Sequence, residues 1–284
     1  MNQLYPVYTA VANPPETVCQ ELSSEVFDYP FFNDGARVCK TTNRATHTLQ
    51  PATVPAEEEQ LALNGLIFHI SHCGSTLLGR LLQQMDRVRV VSETEAINGL
   101  LLSKALHGID DEVIIEKLRA IAGLYRQKSD GKAHVVFKLT SWNVYFLPLF
   151  QRAFPGVPWV FLDREDKALT ASLLQASGGF MDWLNHPVDV VRKHFLSPGS
   201  VVRSVEEYLA NMIAGHRFHA SSNKNEDGRY GEYPAFLEDY PAIITHFGLS
   251  PTAQEANAMK DALRYDAKSL EKILWQDVQA NEWR

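Results

Sequence analysis

The chain has 284 residues, of which 45% are hydrophobic and 21% charged, a composition that supports a sizeable buried core and excludes wholesale disorder. Its formal net charge of −7 argues against a general nucleic-acid binder, because such proteins usually carry a basic face. No apolar run approaches the roughly 20 residues that span a bilayer, and the N-terminus lacks the basic-then-apolar order of a signal peptide. We therefore expect a cytoplasmic protein without a nucleic-acid or membrane partner.

The cysteines give no sign of a disulfide framework or a structural metal. Cys19, Cys39 and Cys73 are odd in number and scattered, and no CxxC pair occurs. This pattern is typical of a reducing compartment. We expect no metal site.

The first 60 residues are predicted to form an N-terminal extension that is irregular or partly strand-like. The stretch from Thr41 to Glu59 is rich in Thr, Pro, Ala and Glu and is interpreted as a linker. The predicted organisation is therefore an extension and linker over 1–60, followed by one domain over 61–284.

Strands and helices are predicted to alternate from Asn64 onward. Apolar runs predict four strands, at Leu66–Ile70, Val88–Ser92, Val135–Leu139 and Val157–Asp163. Helical spacing predicts helices at about 77–85, 95–107, 111–127, 142–153 and 201–221. Such alternation indicates right-handed crossovers and a parallel sheet. We predict an α/β fold with three layers, a parallel sheet flanked by helices, and a mainly helical C-terminal half.

A short glycine-containing loop follows the first of these strands and leads into a helix. It reads Ser71-His72-Cys73-Gly74-Ser75-Thr76. The first N–H groups of a helix lack internal partners and the helix dipole adds positive charge there, so this geometry suits a phosphate. Hydroxyl groups at Ser75 and Thr76 would add donors. The alternative is that these two residues merely cap an ordinary core helix.

Two phosphate chemistries fit the loop poorly. An ATP-binding P-loop reads GxxxxGK[ST], and here the first Gly and the Lys are missing, although Asp163 at a strand end could imitate a Mg²⁺-binding acid. A thiol phosphatase would need five residues between Cys73 and Arg80, and the sequence has six. Cys73 is therefore interpreted as a small inert residue.

The loop resembles the 5′-phosphosulfate loop of sulfotransferases that use PAPS (3′-phosphoadenylyl sulfate), whose pattern is roughly P-[KR]-S-G-T-T-L-L. In SHCGSTLLGRLL the Gly, Ser, Thr and Leu pair match, while Ser71, His72 and Cys73 replace Pro, Lys or Arg, and Ser. The resemblance implies a P-loop-type fold and PAPS as donor. It implies that the donor is bound by His72, Cys73, Gly74, Ser75, Thr76 and Leu77.

A second anion site is predicted where the strand Val157–Asp163 ends. Arg164 follows this strand and Ser172 comes eight residues later on a predicted helix. Ligands bind at the carboxyl edge of parallel sheets, and a guanidinium with a hydroxyl suits a phosphate monoester. The alternative is a surface salt bridge of Arg164 with its acidic neighbours. FLDREDKALTASLL resembles the family's 3′-phosphate motif, with the same Arg-to-Ser spacing and Asp166 in place of Pro.

Glu93, just after the strand Val88–Ser92, is the candidate general base. Alternatively it lies in the first turn of the next helix together with Glu95, favouring the helix dipole. The resemblance favours the base, because VVSET lies where the tyrosylprotein sulfotransferase branch has its base-bearing Glu, and the His of the small-molecule branch is replaced by Thr140. Phosphates nearby are expected to raise the Glu93 pKa. Lys138 matches the family's strand-terminal Lys that faces the donor; alternatively it is a solvated strand end.

His72 stands where the family has a fixed positive charge. Imidazole has an ordinary pKa of ~6.5 and is only partly charged at pH 7, so we expect an adjacent phosphosulfate to raise that pKa, or Arg80 or Lys138 to compensate. Lys268 is predicted to supply the 3′-phosphate contact of the family's C-terminal loop. The segment from Gly178 to Gly199 is predicted to be the acceptor lid.

Together these features predict a sulfotransferase that moves a sulfuryl group from PAPS to a hydroxyl or amine of a small-molecule or peptide acceptor. Glu93 is its base, Lys138 and His72 stabilise charge, and no metal is needed. Two alternatives stay open. One is an ATP-dependent kinase with a degenerate loop, which needs Asp163 to hold Mg²⁺, and the other is a non-catalytic nucleotide-binding module, favoured by His72.

Overall fold

A computed structural model describes residues 2–39, 45–128, 131–175, 196 and 202–274. The strands are β1 (Gln3–Ala10), β2 (Glu16–Leu22), β3 (Thr46–Thr48), β4 (Ala62–His69), β5 (Val88–Ser92), β6 (His134–Lys138), β7 (Trp159–Arg164) and β8 (Gly228–Tyr233). The α-helices are α1 (Phe32–Val38), α2 (Ser75–Gln83), α3 (Glu95–His107), α4 (Asp111–Tyr125), α5 (Leu147–Ala153), α6 (Asp166–Gln175), α7 (Val205–Ser222), α8 (Phe236–His246) and α9 (Ala253–Ala262). Short 3₁₀ helices cover Ser24–Asp28, Pro51–Thr53, Glu57–Glu59 and Ser141–Phe146.

Five parallel strands form the central sheet in the order β5-β6-β4-β7-β8. Strand β4 lies in the middle, and its segment Leu66–Phe68 is buried. The carboxyl ends of parallel strands meet at one edge of a sheet, so the segments after β4, β5, β6 and β7 lie near one another. The prediction of an α/β fold with a P-loop-type parallel sheet flanked by helices is confirmed.

The four predicted strands are present with small changes in their bounds. The bounds of β5 coincide with those predicted, whereas β4 begins four residues earlier, at Ala62, because Ala62 and Leu63 already pair with His134 and Val135 of β6. Polar Asn64 and Gly65 concealed this first part of the strand.

The fifth strand of the sheet, β8, was not predicted, since the chain was expected to be mainly helical after Arg164. Its sequence, GRYGEY, contains two glycines and no aliphatic residue, and its residues are half-buried or exposed. The strand forms because it pairs with β7 along its whole length. A Cβ atom at Gly228 would lie 2.3 Å from the Trp159 ring, so the absence of a side chain permits this pairing.

The N-terminal residues form a small antiparallel sheet in the order β1-β2-β3. Tyr5, Leu22 and Phe32 are buried in the same hydrophobic core as the parallel sheet, so the boundary expected at residue 60 does not divide that core. The Tyr125 hydroxyl of α4 donates to the Pro6 carbonyl at 2.6 Å. The described part of the predicted linker contains β3 and two 3₁₀ turns, and most of its residues are exposed.

None of the helices in the described part of the chain combines the length and the apolar composition needed to cross a membrane.

Candidate anion-binding site

The loop between β4 and α2 has an unusual backbone. Ser71, His72 and Gly74 have φ angles of +76°, +46° and +80°. Left-handed backbone at non-glycine residues is uncommon and clusters at functional sites. A Cβ atom at Gly74 would lie 2.8 Å from the Tyr233 ring and 3.0 Å from the Phe236 ring, so the loop fits only glycine at this point.

Helix α2 presents its first N–H groups toward this loop. Its first helical hydrogen bond runs from Leu78 N to Gly74 O at 3.0 Å, and no side chain caps the helix. The alternative in which Ser75 or Thr76 serves as an ordinary cap is therefore wrong. The N–H groups of Ser75, Thr76 and Leu77 precede the helical ladder, and the start of a helix is a favourable place for an anion.

Arg164, the last residue of β7, reaches this loop. Its Nη1 donates to the His72 carbonyl at 2.8 Å, and its guanidinium lies 5.1 Å from the centre of the Tyr233 ring. Its Nε is buried and has no hydrogen-bond partner among the described residues. The alternative of a surface salt bridge is wrong for the described part of the chain, because neighbouring Asp163 pairs with Arg217 instead.

Ser172 of α6 also meets the loop. Its hydroxyl lies 2.8 Å from Nδ1 of His72. The two motifs, read from stretches about 90 residues apart, are thus in direct contact through Arg164 and Ser172.

His72 does not supply a fixed charge. Burial, with smaller contributions from the charges of Lys268 and Arg164, lowers its pKa to about 4. The imidazole is therefore neutral at pH 7. The expectation that its pKa is raised is not met by the surroundings that the protein itself provides.

Arg80 is occupied away from the loop. Its Nε donates to Ala267 O at 3.1 Å, Nη2 to Ser269 O at 2.8 Å and Nη1 to Asp28 O at 2.8 Å. The Arg80 guanidinium therefore holds the backbone on both sides of Lys268 through hydrogen bonds. The charge of Lys268, an exposed residue, contributes to the lowered pKa of His72, so this lysine lies within electrostatic range of the loop.

Glu93 lies between β5 and α3 with a φ of +49°. The helix begins only at Glu95, and Thr94 caps it by accepting a 3.3 Å hydrogen bond from Ile97 N. Glu93 is thus outside the helix, and the alternative of a first-turn residue is wrong for it. Glu95 does lie in the first turn and approaches exposed Arg37 at 3.4 Å.

Lys138 and Glu93 form an ion pair. The Lys138 ammonium donates to Oε1 of Glu93, and the Lys138 side chain is 0% exposed whereas that of Glu93 is 23% exposed. The ring of Phe31 covers the ammonium, with its centre 5.0 Å from Nζ. Lys138 is therefore not a solvated strand end.

The pKa of Glu93 moves opposite to the expectation. Burial by itself raises this pKa, but the Lys138 ammonium, with a further contribution from His69 at 3.7 Å, outweighs burial and lowers it to about 2. The raised pKa was expected from a bound anion alone, whereas the fold also places the Lys138 ammonium against the carboxylate.

Cys73 is inert. Its side chain is 0% exposed, and burial raises the pKa of the thiol to about 12. A thiol of this kind is not ionised near neutral pH and is a poor nucleophile. The rejection of thiol phosphatase chemistry is thereby strengthened.

Asp163 has its carboxylate oxygens occupied. Arg217 of α7 donates from Nε to Oδ2 at 2.7 Å and from Nη2 to Oδ1 at 3.1 Å, and Arg164 N donates to Oδ1 at 2.7 Å. This arrangement disfavours Asp163 as a Mg²⁺ ligand. Within the described ranges, no group of three or more His, Cys, Asp and Glu residues could hold a metal ion.

A cavity of about 760 Å³ lies away from this loop. It is lined by residues that include Thr17, Ala62, Arg126 and Val157, near the amino-terminal ends of β4 and β7. It therefore lies at the sheet edge opposite the anion-binding loop. It contains none of the predicted site residues.

Four contributors were missed by sequence reasoning: His69, Phe31, Tyr233 and Arg217. His69 is the last residue of β4, and a polar residue at the end of a buried strand is a signal that the sequence does carry. The other three come from segments distant in sequence and carry no local signal. The predicted lid from Gly178 to Gly199 lies outside the described residues, apart from residue 196.

Comparisons with family models, curated proteins and solved structures add one distant structural similarity to what the site geometry shows. No family model matches the sequence, and no match is found among curated proteins. A crystal structure described as a sulfotransferase from Alicyclobacillus acidocaldarius is similar with a TM-score of 0.39 and 14% identity, over 66% of this chain and 83% of that chain. A similarity of this size assigns no function, so function is argued from the site itself.

Proposed function

We propose that this protein is a sulfotransferase that moves a sulfuryl group from PAPS to a hydroxyl or amine of a small-molecule or peptide acceptor in the cytoplasm. The observation that carries the proposal is the meeting of two motifs: Arg164 and Ser172 both contact His72 at 2.8 Å. A nucleotide with phosphates on both sides of its ribose needs two anion sites close together, and the two motifs supply them.

The donor is assigned to residues of both motifs. The 5′ phosphosulfate lies on the backbone of His72, Cys73, Gly74, Ser75, Thr76 and Leu77, whose helix tip favours an anion. Arg164 and Ser172 hold the 3′-phosphate, and the buried Nε of Arg164 still has a donor to offer. Lys268 adds positive charge from the C-terminal side.

Lys138 and Glu93 are assigned to the transfer step. Glu93 takes the proton of the acceptor while the new bond to sulfur forms, and Lys138 stabilises the negative charge left on the donor phosphate as the old S–O bond breaks. No redox step occurs, and the sulfuryl group and proton are fully accounted for. The other residues of the site contribute by holding the donor and the acceptor in position.

Glu93 becomes a useful base only when Lys138 is drawn away. With the ion pair intact its pKa is about 2, too low for efficient proton transfer near pH 7. A bound phosphosulfate competes for the ammonium and repels the carboxylate, and both effects raise the Glu93 pKa. The proposal therefore couples donor binding to the basicity of Glu93.

Thermal shift with three nucleotides tests the donor site. We expect PAP, the desulfated donor, to stabilise the protein well above 5′-AMP, because ligand affinity adds to folding stability and only PAP fills the 3′-phosphate site. Mg·ATP is expected to stabilise it least. A larger shift with Mg·ATP than with PAP would overturn the assignment in favour of a kinase.

A non-catalytic nucleotide-binding module is the second candidate. It is favoured by the neutral imidazole of His72, whose pKa is about 4, at the place of a fixed charge. Conversion of PAPS to PAP in the presence of simple phenol and amine acceptors separates the two candidates. Tight PAP binding without turnover in any acceptor mixture would support the module.

A further inference from the structure

The imidazole of His69 uses both of its nitrogens inside the protein. His69 ends β4 and is 3% exposed. Its Nδ1 accepts a hydrogen bond from Ser71 N at 3.0 Å, which places the proton of the neutral ring on Nε2. Nε2 donates to Leu139 O at 2.8 Å. The two hydrogen bonds fix the tautomer and the orientation of the ring.

These two bonds connect separate parts of the site. Ser71 is the first left-handed residue of the anion-binding loop, with a φ of +76°. Leu139 directly follows Lys138 at the end of β6. The ring therefore joins the start of the loop to the strand that carries the buried lysine. A hydrogen bond at Ser71 offsets part of the cost of its strained backbone.

The same ring faces the carboxylate of Glu93. Nε2 of His69 lies 3.7 Å from Oε1, the oxygen that also accepts from Lys138. The titratable groups that face this carboxylate are Lys138 from β6 and His69 from β4. Burial lowers the pKa of His69, so the ring is neutral beside Glu93, and its one N–H, on Nε2, is donated to Leu139 O.

We propose that His69 is a positioning residue that fixes the place of the Glu93 carboxylate relative to the anion-binding loop. The inference rests on the proposed function in one respect, that the loop is the donor side and Glu93 the proton-accepting side of one reaction. His69 acts through Ser71 N and through Glu93, and it needs no contact with either substrate.

Two amide substitutions separate the two contacts. His69→Asn keeps an oxygen near the place of Nδ1 and can still accept from Ser71 N, but it does not reach Leu139 or Glu93. His69→Gln keeps an N–H donor near the place of Nε2 and loses the acceptor for Ser71. The readouts are the ¹³C titration of the Glu93 carboxylate, the ¹⁵N–¹H shift of Ser71 and the PAP affinity by calorimetry.

We expect a crossed pattern. His69→Asn raises the Glu93 pKa by about one unit and leaves the Ser71 amide shift and PAP affinity near wild type. His69→Gln moves the Ser71 amide shift and weakens PAP binding by about tenfold, while the Glu93 titration stays in place. His134→Gln is the matched control, because His134 bonds Asn64 at 2.9 Å at the start of β6 and is expected to change none of the three.

The proposal is overturned if both amide variants lower thermal stability alone, with the Glu93 titration, the Ser71 shift and PAP affinity all unchanged. A wild-type protein that does not bind PAP would sink the proposed function instead. The Glu93 titration and the Ser71 shift would still test His69 in that case, so the two failures are distinguishable.

Discussion

Glu93 and Lys138 show how strongly one residue depends on its partner. The lysine is buried with 0% of its side chain exposed, and its charge is balanced by a carboxylate that is 23% exposed. Removing one member of a buried pair leaves an uncompensated charge, which is more costly than losing a surface salt bridge. This pair therefore contributes to folding as well as to the proposed chemistry.

Glu93→Gln is expected to reduce the free energy of unfolding by about 3 kcal/mol at pH 7. Because the folded pKa is lowered to about 2, the stabilisation by Glu93 is present above its ordinary pKa and is lost as the pH falls through the folded value. The difference between wild type and variant should thus shrink between pH of about 4 and about 2. Urea denaturation across this range measures it.

Glu95→Gln is the control for that experiment, since Glu95 is an exposed neighbour whose carboxylate pairs with exposed Arg37. It should change stability by less than about 0.5 kcal/mol. An equal loss of stability in both variants would mean that the buried ion pair with Lys138 stabilises the protein no more than an exposed salt bridge does.

Arg164→Lys is expected to weaken PAP binding by about 10- to 100-fold and to leave 5′-AMP binding almost unchanged. A lysine cannot reproduce both the hydrogen bond to His72 O and the stacking on Tyr233 while facing a phosphate. Calorimetry with the two nucleotides measures the difference. Arg152→Lys, a change in an exposed pair with Asp111, is the control. Equal losses for both nucleotides would assign Arg164 to the 5′ side.

At the scale of elements, the loop between β4 and α2 requires glycine at one place. Gly74→Ala is expected to destabilise the protein by about 1–3 kcal/mol and to abolish PAP binding, because its φ is +80° and a Cβ would lie 2.8 Å from Tyr233. Thermal unfolding and calorimetry check both effects. Gly108→Ala is the control, since its φ is +61° but no atom lies within 4 Å of a Cβ there. PAP binding that survives Gly74→Ala would contradict the assigned loop.

Elements with strong local signals were predictable from the sequence. Strand β5 has three valines among its five residues, and α3 is preceded by Thr94, which caps it, and followed by Gly108 with a left-handed φ. Strand β8 was not predictable, because it is stabilised by pairing with β7 rather than by its own residues.

The motifs named His72, Arg164 and Ser172, which the structure brings into contact, but they did not predict the protonation states of the titratable groups. The pKa of His72 is lowered by burial and by Lys268, and that of Glu93 is lowered by Lys138 against the effect of burial, so both depend on residues far along the chain. No local pattern contains that information, because the fold alone brings these charges together.

At the scale of the whole molecule, the N-terminal sheet and the parallel sheet share one core. The contact between them includes Gly99 of α3, where a Cβ atom would lie 2.0 Å from Thr9 O. The N-terminal residues also reach the site, since Phe31 covers Lys138. We therefore expect both sheets to unfold together.

Gly99→Val is expected to lower the melting temperature by more than about 5 °C, because the valine side chain would clash with Thr9 O and push β1 of the N-terminal sheet away from α3. Calorimetry should show a single transition for wild type and variant. A variant with two separate transitions, or one with unchanged stability, would contradict the shared core.

The grip of Arg80 has a consequence for how the molecule is completed during synthesis. This one guanidinium holds carbonyls from Asp28, Ala267 and Ser269, so its partners span almost the whole chain. A ribosome releases the earliest of them long before the last two. During synthesis Arg80 can therefore hold Asp28 before it can hold Ala267 or Ser269, and the segment that carries Lys268 docks onto Arg80 only after that segment has left the exit tunnel.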